Sequence, residues 1–126
     1  MPTLLMYNLD NEKGKLIRML CLRLRVFIRP VSPSEYGLPI SALLENPHSG
    51  GAVPSDPDAF QDEMLLFAHF PETLFGIMLS EMRKARSTVP LKAVLTPTNA
   101  AWTSVQLHAE ISREHEAMRQ NLRAHQ

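Results

Sequence analysis

Proton chemistry near neutral pH points first to histidine, the side chain whose charge changes in that range. The 126-residue chain has five: His48, His69, His108, His115 and His125. None stands at metal-ligand spacing from a cysteine or carboxylate, so no metal site is expected. His108 and His115 are seven apart and share a helix face with Ser112. His69 follows the apolar run Met64–Ala68 and would lie at a strand end, but no nucleophile is tied to it by spacing. The only cysteine, Cys21, falls on an apolar helix face and reads as a small buried hydrophobe. It excludes an intramolecular disulfide and Cys-x-x-Cys redox exchange.

Phosphate chemistry is tested by the glycines. Gly14-Lys15 suggests a phosphate loop, but that pattern needs glycine at position 9 and Ser or Thr at 16, and both positions are leucine. No Gly-x-Gly-x-x-Gly follows the first strand. Asp10 has no second acid beside it, and the third strand ends Ala68-His69-Phe70, which excludes a phospho-acceptor receiver. No cofactor is expected, and the missing constellations argue against an enzyme.

These side chains must be placed by elements. Thr3–Tyr7 is a short apolar strand, and Asn8–Asn11 a turn and helix cap. Residues 12–25 form a helix with Leu16, Ile17, Leu20, Cys21 and Leu24 on one face. Residues 26–31 (VFIRPV) are a strand placed at an edge by Pro30. A short helix runs from Ser34 to about Glu45, interrupted early by Gly37 and Pro39. Residues 46–58, rich in Pro and Gly, read as a flexible connection. Met64–Ala68 is a strand covered on both faces. A helix begins at Pro71-Glu72 and carries Arg83, Lys84 and Arg86 in its last turn. Leu91–Leu95 is a fourth strand, and a final helix capped by Thr96–Asn99 runs to about Arg123.

The order β-α-β-α-β-α-β-α predicts a single α/β domain over 1–126. Its four-stranded, mostly parallel sheet has helices on both faces. The two most apolar strands, first and third, belong in the middle, giving the order 2-1-3-4. A ferredoxin-like α+β arrangement is the alternative. No internal repeat is expected. In a parallel sheet the carboxyl ends of the strands form the binding edge. That edge would gather Asn8, Asp10, His69, Thr96, Thr98 and Asn99, with Tyr7, Ser32, Ser34 and Trp102 nearby. Helix capping explains the same polar residues without a ligand.

Hydrophobic residues make up 44% and charged residues 21%, the composition of an ordinary globular chain. Thirteen bases balance thirteen acids, but unevenly. Residues 31–72 hold seven acids and no Lys or Arg, between two stretches in which bases outnumber acids. Compensation between neighbouring elements accounts for this better than nucleic-acid binding, which needs a net basic domain. No stretch is long enough to span a membrane, and residues 1–10 lack the features of a secretory signal, so a cytoplasmic location is expected.

Two surfaces look unfinished. The first helix sets Met19 and Leu22 among Lys15, Arg18 and Arg23. The last helix carries one stripe of Ala101, Trp102, Val105 and Ala109, expected on the sheet. A second stripe of Leu107, Ile111, Met118 and Leu122 is free either to fold back or to meet another chain.

The segments Leu5–Leu9 with Gly14-Lys15, Cys21–Leu24, Asp62–Phe67 and Leu91–Asn99 resemble a small uncharacterised bacterial family, domain of unknown function 3783. The likeness is read over nearly the whole chain, with 46–58 as a variable insertion. The resemblance implies no activity, cofactor or site residue. The leading expectation is therefore a non-enzymatic module working through protein contacts, as a homodimer or with another protein through the last helix. The alternative is a small-ligand or anion-binding α/β domain, or an enzyme, using the strand-end cluster. Nucleic-acid binding through Lys15, Arg18, Arg23 and Arg25 ranks last.

Overall fold

The structure, a computed structural model, describes residues 1–46 and 57–124. The connection expected at 46–58 lies, for residues 47–56, outside the described residues, as do His48 and His125.

Four strands, β1 (Thr3–Tyr7), β2 (Phe27–Val31), β3 (Met64–Ala68) and β4 (Leu91–Val94), form one sheet in the order β2-β1-β3-β4. The order is the expected one. The two apolar strands are central, and β3 is buried along its full length. The edges carry their own protection against stray pairing: Pro30 lacks an N–H, and Lys92 brings a charge.

The sheet is mixed. β1 runs parallel to β2, and β3 parallel to β4, but β1 and β3 are antiparallel, with Leu5 opposite Leu66. Period-two alternation sends Leu4, Met6, Leu65 and Phe67 to one face, beneath α1 (Glu12–Leu24) and α3 (Glu72–Lys84). It sends Leu5, Tyr7, Met64 and Leu66 to the other, beneath α2 (Ile40–Glu45) and α4 (Ser104–Ala124). The result is a three-layer α/β/α domain.

Local chemistry sets the element ends. Arg25 in the left-handed conformation stops α1 one residue short of the expected Arg25. Gly37 and Pro39 split the expected second helix into a 3-10 turn, Pro33–Glu35, and the six-residue α2. The last helix is likewise broken. Asn99–Ala101 is a 3-10 turn, and α4 starts afresh at Ser104, where Thr103 and Gln106 exchange side-chain to backbone hydrogen bonds of 2.8 and 3.2 Å.

An internal repeat, which the sequence conceals, organises the whole molecule. Each half runs strand, helix, parallel strand, 3-10 turn, helix: residues 3–45, then 64–124. The halves are related by a pseudo-two-fold axis through the Leu5–Leu66 pair. Thr3 pairs with Phe27 as Met64 pairs with Leu91. The left-handed residues also correspond, Asn8 to His69 and Arg25 to Arg86. On the α2/α4 face the axis passes the isolated bridge between Pro39 and Thr103.

Candidate functional site

The antiparallel β1–β3 pairing decides where the expected ligand residues go. The carboxyl ends of β1 and β2 share one end of the sheet with the amino ends of β3 and β4. Asn8 and Asp10 therefore stand at one end. His69, Thr96, Thr98 and Asn99 stand at the other. The six residues are not one cluster, because each unit ends its own pair of parallel strands.

At the first end, Asn8 has φ 57°, a left-handed conformation that asparagine tolerates better than most residues. Its Nδ2 donates to the Phe60 carbonyl at 3.0 Å and the Asp62 carbonyl at 2.9 Å. Asn8 thus ties the chain entering β3 to the end of β1. Asn11 caps α1 by accepting from Gly14 N–H at 2.9 Å. A Cβ on Gly14 would lie 1.7 Å from the Leu9 carbonyl oxygen, so close backbone approach explains this glycine. Asn8, Asp10, Arg18 and Ser32 are among the residues bounding a cavity of about 530 Å³ here.

At the second end the polar groups satisfy one another. Asn99 Oδ1 accepts from Thr96 N–H at 2.8 Å, Thr96 Oγ1 accepts from Asn99 N–H at 3.0 Å, and Asn99 Nδ2 donates to the Val94 carbonyl at 3.0 Å. This is a turn cap. Thr98 is exposed, and so is His69, which forms no hydrogen bond with a described residue.

The corresponding turn of the first unit is built with charge. Glu35 accepts from Ser32 N–H at 3.1 Å and pairs with Arg29 through contacts of 3.0 and 2.7 Å. Arg29 is 2% exposed and Glu35 6%. Burial opposes ionisation of Glu35. The Arg29 guanidinium and the Ser32 donors outweigh it and hold the carboxyl below its ordinary value. The pair is an internal brace.

A third region gathers titratable groups that sequence reasoning saw only in part. Gln61, Asp62, Glu63, Ser112, His115 and Glu116 help to line a cleft of about 520 Å³ beside α4. At its margin His108 Nε2 meets Asp62 Oδ2 at 2.8 Å and Ser112 Oγ at 3.3 Å. The three residue types suggest a hydrolytic triad, but both partners use the same ring nitrogen. A triad needs the acid on one nitrogen and the nucleophile on the other. His108 instead lies flat on Phe60, with centroids 4.0 Å apart, and Phe60 stacks on Tyr36 at 4.5 Å. The shared face of His108, Ser112 and His115 was legible from helical spacing. Asp62, 46 residues away from His108, was not. Lys13 and Asn11 hold the Glu63 carboxyl below its usual range, against some burial. Among the described residues no group of three His, Cys, Asp or Glu side chains is arranged to hold a metal.

The last helix divides its second stripe. Leu107 and Ile111 are buried in the core, 1% and 8% exposed, while Met118 and Leu122 are 65% and 64% exposed. The expected sheet-docking stripe is also corrected. Trp102 and Val105 only flank the core, and Ala101 and Ala109 are exposed. Residues 116–123 are exposed without interruption. Cys21 is buried as expected, and burial pushes its thiol up to about 12. On α1, Met19 and Leu22 are exposed beside Arg23, which pairs with Glu81 of α3 at 2.9 Å.

Fold and surfaces together define a small three-layer α/β protein with a projecting terminal helix. No helix among the described residues is long and apolar enough to cross a membrane. Residues 63–118 match the family model described as domain of unknown function (DUF3783), and over that stretch the chain resembles the family. The match covers most of the second unit, and residues 1–62 lie outside it, so it is narrower than the likeness read from the sequence. No curated protein and no solved structure matches the chain.

Proposed function

We propose that the protein is a cytoplasmic, non-enzymatic interaction module that associates with a second copy of itself through the projecting half of α4. The observation that carries this reading is the pair Met118 and Leu122, one turn apart and both about two-thirds exposed. The same helix supplies the complementary charge. Glu110, Glu114 and Glu116 precede Met118 with one base, Arg113, whereas Arg119 and Arg123 follow it; within the helix Arg113 pairs with Glu110, and Arg119 lies 3.5 Å from Glu116. Two copies packed antiparallel about Met118 set the acidic turns of each against the basic turns of the other. The projecting residues 113–124 span about 18 Å. So short a contact lies at the small end of interface sizes and makes a transient dimer.

Sedimentation velocity across a concentration series tests this. The expected outcome is reversible dimerisation, lost in the variant Met118→Glu/Leu122→Glu without change in circular dichroism. Ile111 is unsuitable for the test, because a charge at this buried position would disrupt the core. A wild type that stays monomeric through the high-micromolar range ends the reading.

A second reading, a small-ligand domain, is favoured by the cavity beside Asn8 and Asp10. It lies at the carboxyl ends of the parallel pair β1–β2, where α/β sheets bind ligands. Native mass spectrometry of gently purified protein checks it. A bound small mass lost in Asp10→Ala supports this reading, and a bare chain counts against it.

A further inference from the structure

We infer that the side of the second unit now covered by β1 is a self-association surface, and that the chain is in effect a fused pair of like units. The partner this surface fits is another copy of the same unit. β3 is wholly buried because β1 pairs along its edge and helices cover both faces. Alone, the unit would expose that edge and an apolar strand, so it needs a partner.

The register shows what a second copy would meet. The pairing is centred on Leu5 and Leu66, so β3 against its own copy sets Leu66 opposite Leu66, Leu65 opposite Phe67 and Met64 opposite Ala68. Every pair is apolar. On the α1/α3 face, Arg23 of α1 reaches Glu81 of α3. Lys84 holds the place of Arg23 in the second unit and already approaches Glu81 of its own helix at 3.7 Å, so two copies would also bring each Lys84 to the other copy's Glu81. On the other face, Ile40 N–H donates to the Trp102 carbonyl at 2.9 Å. Ser104 holds the place of Ile40 and carries the same donor. The family model spans 63–118, a stretch lying almost wholly within this unit.

The test uses the full chain carrying Leu5→Pro, which removes β1 from the sheet. Met118→Glu and Leu122→Glu are added to suppress association through α4, so failure of the α4 reading leaves this test intact. Light scattering should give a mass of two chains. Hydrogen exchange should protect residues 64–111 and leave 3–45 open, with protection rising with concentration. Adding Glu81→Lys should weaken this dimer by about tenfold or more, through like-charge contact with Lys84 of the other copy. A variant that is a single chain or unfolded throughout overturns the inference, as does a dimer indifferent to Glu81→Lys.

Discussion

At the turn after β2, Glu35 accepts the Ser32 N–H and also carries the buried Arg29. At the turn after β4, Asn99 accepts the Thr96 N–H and carries nothing charged. After β1, left-handed Asn8 binds two carbonyls of the chain entering β3, while its counterpart His69, equally left-handed, binds none among the described residues. Gly14 lets α1 start against the Leu9 carbonyl, whereas Phe75 at the matching place in α3 packs edge-on against Phe67. The repeated architecture therefore constrains backbone roles, namely a left-handed turn, a cap and a brace. It leaves open which chemistry fills each role.

The core offers the largest test of that comparison. Met6 and Phe67 occupy matching positions, and each is buried on the α1/α3 face. Phe67 also meets two further rings edge-on, Phe70 and Phe75. Phe67→Ala should cost about 4 kcal/mol and Met6→Ala about 2–3 kcal/mol, read from urea unfolding. Equal losses would mean that the aromatic cluster adds nothing to the second unit.

The two turns differ in their response to acid. Glu35→Gln leaves buried Arg29 without its counter-charge and should cost about 3 kcal/mol at neutral pH. The folded protein holds Glu35 below its ordinary value. Its stabilisation is therefore complete above the unfolded carboxyl's pKa and is lost as pH falls through the folded one. The neutral Asn99 turn has no such dependence. Unfolding free energies measured from neutral to acid pH should fall less steeply in Glu35→Gln than in wild type. A residual slope should remain from Glu63, whose pKa is also lowered.

Much of this arrangement was legible, and the illegible part has a physical source. Apolar runs located the four strands, and Pro30 and Lys92 marked the edges. Those patterns carry no direction, so the apolar strand Met64–Ala68 fits beside β1 in either sense. That one unread bit dispersed the expected site across two ends of the sheet. The repeat was hidden because few matched positions keep their residue: Leu4 and Leu65, Leu5 and Leu66, Arg25 and Arg86, Pro33 and Pro97, Leu43 and Leu107. On α4, helical period showed two stripes but not where the sheet ends, which alone separates buried Ile111 from exposed Met118.

Contacts across the pseudo-two-fold axis can be probed through one buried hydroxyl pair. Tyr7 and Ser104 meet at 2.8 Å, and both are fully buried. Burial raises the Tyr7 hydroxyl's pKa well above its usual value, with the Ser104 bond opposing in part, so it remains a neutral partner. The matching residues, Ala68 and Ile40, form no polar pair. Tyr7→Phe should cost about 1–2 kcal/mol by stranding Ser104, and adding Ser104→Ala should recover part of it. Additive losses in the double-mutant cycle would show that the two hydroxyls act independently.

The smallest effect is the most pointed, because the comparison predicts opposite signs. A left-handed backbone costs a residue with a Cβ, and glycine avoids that cost. At His69 nothing offsets the strain, since the side chain is exposed and makes no hydrogen bond with a described residue. His69→Gly should therefore raise stability by about 1 kcal/mol, reduced by glycine's greater freedom when unfolded. At Asn8 the same change relieves less strain, because asparagine tolerates the conformation, and it removes two hydrogen bonds to the chain entering β3. Asn8→Gly should therefore lower stability by about 1 kcal/mol. The check is a pair of urea midpoints moving in opposite directions at unchanged slope. Midpoints moving together would mean that the Asn8 tie to the chain entering β3 contributes little, and that both turns are governed by backbone strain alone.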